Sequence, residues 1–97
     1  MATYEAVLMH GLRGSEGRYR FEGPDDLLDR TPVRVMRHFM EWVDAHAGVG
    51  HVDYELNAAM KNREAGVVTA LGTMVFSPQS VQPFVCMIAR AGLDRGD

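Results

Sequence analysis

The segment HVDYELNAAMK, residues 51–61, decides the fold class. Its odd positions carry His51, Asp53, Glu55, Asn57, Ala59 and Lys61; its even positions carry Val52, Tyr54, Leu56, Ala58 and Met60. A period of two is that of a strand with one apolar and one polar face. Immediately upstream the period changes. From Val33 onward, Val35, Met36, Phe39, Met40, Trp42, Val43 and Ala47 recur every three or four residues, drawing an apolar stripe along a helix. Thr31 is placed to cap that helix, Pro32 fits its first turn, His46 its last turn and Gly48 its C-terminal cap. About 16 residues give a rod of roughly 24 Å, long enough to lie across a sheet. A short preliminary turn is expected at Asp25–Leu27.

Working outward, TYEAVLM predicts a strand from Thr3 to His10 that is apolar on both sides. The Gly-rich GLRGSEG is a turn leading into RYRFE, whose alternation points Tyr19 and Phe21 inward and Arg18, Arg20 and Glu22 outward. The two strands form a hairpin. After the turn KNREAG, VVTALGTMVF and FVCMIAR read as two more strands, separated by SPQSVQP as a proline-containing loop; the tail GLDRGD reads as frayed. The expected fold is α+β, one domain over residues 1–97, with a five-stranded, mainly antiparallel sheet in the order β-β-α-β-β-β and one long helix on one face.

The apolar arc of the helix is expected to meet Val52, Tyr54, Leu56, Ala58 and Met60. Val7, Met9, either Val68, Ala70 and Met74 or Val67 and Leu71, and alternate residues of the last strand then fall on the reverse face. A patch of that size calls for cover. A homo-oligomer, with a dimer favoured, supplies it; a sheet curled shut on itself is the rival solution.

Composition narrows the classes. An apolar fraction of 46% and a charged fraction of 24% suit an ordinary globule. Seven Met residues suit gap filling in a small core, or a packing surface. A net charge of −3 disfavours nucleic acid and anionic membrane as partners. The single Cys86 lies in the apolar run VCMI, as a buried thiol in a reducing, cytoplasmic setting would. No leader-like or membrane-spanning apolar run is present in the sequence, and no cofactor is expected.

Three proton- or metal-binding side chains in alternation, His51, Asp53 and Glu55, form the candidate catalytic face. Strand neighbours two apart lie about 6.5–7 Å from each other and point the same way. His51 suits a general base, with Asp53 or Glu55 orienting it. The bland reading is a wet strand face, with the acids paired to Arg18 or Arg20. A second candidate, for a ligand or anion, combines the Gly-rich turn with His10, Arg13, Arg18 and Arg20. No metal site is expected, because His10, His38 and His46 are dispersed and HExxH does not occur. His38 reads as a half-buried core residue and Trp42 as core. Two function classes follow. One is a small oligomeric binding or accessory protein, its small-molecule or protein partner contacting the polar face near His51–Glu55. The alternative is a small metal-independent enzyme using His51 as base.

Overall fold

Thr31 begins the helix as its position suggests. Its carbonyl accepts the Val35 N–H at 3.0 Å as the first helical bond, and its Oγ1 accepts the Arg34 N–H at 3.4 Å, so one otherwise orphaned donor is satisfied. Helix α1 then runs Pro32–His46. The computed structural model describes residues 1–11, 15–46, 48 and 51–92. Around α1 lie strands β1 (Ala2–His10), β2 (Ser15–Gly23), β3 (Asp53–Asn62), β4 (Val67–Ser77) and β5 (Ser80–Arg90), with a 3-10 turn at Leu27–Asp29. All pairings are antiparallel and the sheet order is β2-β1-β5-β4-β3. β2 and β3 are its edges, so the sheet is open rather than curled shut.

One face of the sheet is covered. Val35, Met36, Phe39, Met40 and Val43 of α1 are buried with Tyr4, Ala6 and Leu8 of β1, Phe21 of β2, Val68, Ala70 and Met74 of β4, and Phe84, Cys86 and Ile88 of β5. Phe39 is the centre of an aromatic group, its ring 5.3 Å from Phe21 and 5.8 Å from Tyr19. Each fully buried Val, Leu, Ile, Phe or Met among them contributes about 1.5–3 kcal/mol of transfer free energy. The Tyr4 hydroxyl donates to the Pro24 carbonyl and ties β1 to the chain leaving β2. Trp42, expected in the core, is half-buried and packs edge-on against Tyr19.

Two expectations are corrected. The alternation of residues 51–61 does not run unbroken, because the β3–β4 register shifts between Leu56 and Ala58. This bulge at Asn57 inverts the rest of the strand. Tyr54, Leu56 and Ala59 pack against the core, while Met60 turns outward and is 60% exposed. Gly72 sits opposite, where a Cβ would lie 1.9 Å from the Glu55 carbonyl oxygen. Close backbone approach therefore requires glycine there.

The second correction concerns SPQSVQP. Only Pro78 and Gln79 lie between β4 and β5, and Pro83 is inside β5. The Pro83 carbonyl accepts the Gly11 N–H at 2.9 Å on the β1 side, and β1 has ended at His10, paired with Phe84. The Pro83 nitrogen faces that same side, so no ladder bond to β4 is lost. Of the expected frayed tail, residues 93–97 lie outside the described residues, as does Arg13.

Candidate functional site

The helix and the edge strand meet at a histidine. The chain leaves α1 at His46, passes Gly48 with φ 75°, and enters β3 after Val52. Asp44 in the last turns of α1 receives it: Oδ1 accepts the Val52 N–H at 3.3 Å and Oδ2 lies 2.7 Å from His51 Nδ1. On the other side of the ring, His51 Nε2 lies 2.8 Å from Asp53 Oδ1. Both ring nitrogens thus face carboxylate oxygens, which only accept. The imidazole donates to both when it carries a proton on each nitrogen.

The electrostatics agree with that arrangement. The hydrogen bond to Asp44 raises the His51 pKa above the ordinary imidazole value, with the bond to Asp53 as the next cause. The same His51 bond holds the Asp44 carboxyl below the usual carboxylate range. The two acids are not equivalent. Asp44 is 29% exposed and anchored to the backbone; Asp53 is 75% exposed and held by its His51 bond. His51 itself is 70% exposed, so this chain alone does not shut out water. Tyr54 is half-buried against the core, and desolvation raises its pKa, keeping a neutral phenol within the field of the Asp44 carboxylate.

His51 and Asp53 thus come together, as their spacing suggested, but Glu55 does not join them. It lies one step further along the outer face of β3, in register with Thr73, and makes no hydrogen bond or ion pair to His51 among the described residues. Asp44 is the residue that sequence reasoning missed. Its only signal was an acid in the last helical turns, seven positions before a histidine, a spacing that names no contact by itself.

His10, Arg18 and Arg20 are not brought to one place. His10 is on the helix side of the sheet, where Nδ1 lies 2.9 Å from Gln82 Oε1 and its ring contacts Phe76. It is three strands away from His51. Arg18 pairs with Glu16 at 3.0 Å and Arg20 with Glu5 at 2.7 Å on the opposite face, rather than with Asp53 or Glu55. His38 is half-buried against Phe21, and its Nε2 lies 3.2 Å from the Glu22 main-chain carbonyl, to which it donates. His46 Nδ1 donates to the Trp42 carbonyl at 3.1 Å and its ring stacks on Trp42, closing the helix end. Cys86 is buried, and desolvation pushes its thiol pKa up to about 12, so thiolate chemistry is suppressed there.

A cavity of about 330 Å³ lies elsewhere, between the 3-10 turn and the β3–β4 hairpin. Leu28 and Val68 contribute an apolar floor, and Lys61, Arg63 and Asp29 its charged wall. The bulge at Asn57 is what turns Lys61 toward it. Among the described residues, no group of three or more His, Cys, Asp or Glu side chains has the arrangement of a metal site, and no helix is long and apolar enough to cross a membrane. Comparison with protein-family models, with curated proteins and with solved structures found no match.

Proposed function

We propose that the protein is a small enzyme that transfers protons at His51, with Asp44 as the orienting carboxylate. The observation that carries this reading is the bracketing of one imidazole by two unequal acids. Asp44, anchored by the Val52 N–H, fixes Nδ1 and stabilises the charged ring. Asp53 is the exchangeable partner: a substrate oxygen taking its place at Nε2 would meet an N–H donor. This geometry is the histidine–carboxylate half of many acid–base sites. It also refines the role expected from spacing. A ring protonated at both nitrogens acts first as an acid, protonating a leaving oxygen, and becomes a base only after giving up the Nε2 proton.

Chromogenic probes test the reading directly. Wild type, His51→Gln and Asp44→Asn are assayed at about pH 6, below the ordinary imidazole value of about 6.5, on p-nitrophenyl acetate and p-nitrophenyl phosphate, with melting midpoints measured in parallel. Turnover above the buffer rate, lost in His51→Gln with little change in melting, supports it. Wild type that leaves both probes at the buffer rate, or full activity in His51→Gln, counts against it.

Self-association is the second reading, favoured by one observation: Met60, Leu71, Val81 and Met87 are 38–60% exposed on the face opposite α1. It is compatible with the first, because that apolar face lies opposite α1, the helix that carries Asp44. A reducing cellular compartment suits the buried free thiol of Cys86.

A further inference from the structure

We infer that the uncovered face of the sheet is an isologous interface that binds a second copy of this chain, sheet against sheet. The inference rests on the self-association reading and assigns its surface. Strand register places Val7 and Met9 of β1, Val85 and Met87 of β5, and Leu71 of β4 side by side on that face. The bulge in β3 adds Met60, which sits opposite Thr69. Charges stay at the margins. The Arg18–Glu16 and Arg20–Glu5 pairs line the β2 edge, and Asp53 and Glu55 line the β3 edge. An apolar centre with a polar rim is the anatomy of a protein interface.

The extent of the face matches what a stable dimer needs. Five strands about 4.8 Å apart and about nine residues long, at about 3.3 Å per residue, span roughly 24 by 30 Å, or roughly 700 Å². A standard interface takes about 800 Å² from each partner. A second copy is the occupant that fits, because the apolar residues flank the central strand β5. A two-fold axis passing over β5 lays apolar centre on apolar centre, and the polar margins fall outside it. Pairing through strand edges is disfavoured: β3 carries a bulge, and β2 presents Arg18 and Arg20.

Sedimentation velocity from about 5 to about 200 μM tests this on the full chain, with circular dichroism reporting the fold. Wild type is expected to approach twice its 10.8 kDa mass. Leu71→Glu combined with Met87→Glu should stay folded and weaken association at least about 100-fold, since two carboxylates would be buried in an apolar centre. A measurement on wild type guards against misfolding of that variant. Peroxide oxidation of Met60 and Met87, read by mass spectrometry, should slow at high protein concentration while Met1, 85% exposed, keeps its rate. Wild type that remains a monomer at about 200 μM overturns both self-association and its surface. A dimer that persists in the folded double variant, or that leaves Met60 and Met87 oxidising at unchanged rates, overturns the surface alone. His51→Gln should dimerise like wild type, so the catalytic reading can fail without touching this one.

Discussion

Gly72→Ala should be among the most damaging small substitutions in the protein. The added Cβ would fall 1.9 Å from the Glu55 carbonyl oxygen and 3.0 Å from the Leu56 Cα, both main-chain atoms that no rotamer change can move. Relief requires β3 to shift outward by more than an ångström, a large part of the slack in a sheet whose strands are about 4.8 Å apart. Overpacking of this kind costs about 1–3 kcal/mol, and one or two weakened ladder hydrogen bonds add about 1 kcal/mol each. The expected loss is therefore about 3–4 kcal/mol. For a domain of this size each kcal/mol lowers the melting midpoint by about 4–8 °C, so thermal unfolding followed by circular dichroism should show a fall of at least about 12 °C. A fall below about 4 °C with an unchanged spectrum would show that β3 yields freely and that glycine does not pin the bulge. The turn of Met60 toward the open face would then need another cause.

Phe39→Ala removes the centre of the aromatic group and should cost about 3–5 kcal/mol in denaturant unfolding, with the m-value unchanged. Cys86, its thiol pushed up to about 12 by burial, should stay unreactive toward a thiol-specific dye at pH 8 until the chain unfolds. The His51 clasp should make stability depend on pH in a defined window. A raised histidine pKa adds stability that is fully present below the unfolded value of about 6.5 and is lost as pH rises through the folded value. The lowered Asp44 pKa adds stability present above the unfolded value of about 3.9 and lost as pH falls through the folded one. The melting difference between wild type and His51→Gln should therefore peak between those limits and shrink above neutrality. A difference that grows toward alkaline pH would contradict the assignment.

Periodicity made most of the architecture legible. The 3.6-residue stripe from Val35 to Val43 and the alternation of Tyr19 and Phe21 both report a one-sided burial that local sequence controls. Residues 57–60 were not legible because a bulge changes the phase of a strand without changing its composition. The clue lay on the neighbouring strand, in Gly72, and its meaning depends on a pairing that the sequence does not specify. Pro83 misled for a related reason. A proline argues against a central strand, yet here its nitrogen faces the side where β1 has ended, away from the β4 ladder. At the site, the His51–Asp53 contact was visible because both residues belong to one short segment. Asp44 was not, since it belongs to α1 while His51 lies outside that helix, and no periodicity links the two. Long-range placement also separated His10 from His51, which no local pattern reports.

The central claim is that Asp44 and Asp53 together hold His51 as a doubly protonated ring. An NMR titration of the His51 ring resonances, in wild type and in Asp44→Asn and Asp53→Asn, tests it most directly. The expected result is a wild-type midpoint above the ordinary imidazole value of about 6.5, lowered by either substitution and further by the loss of Asp44. A wild-type midpoint at or below that value, or one indifferent to Asp44→Asn, would contradict the account.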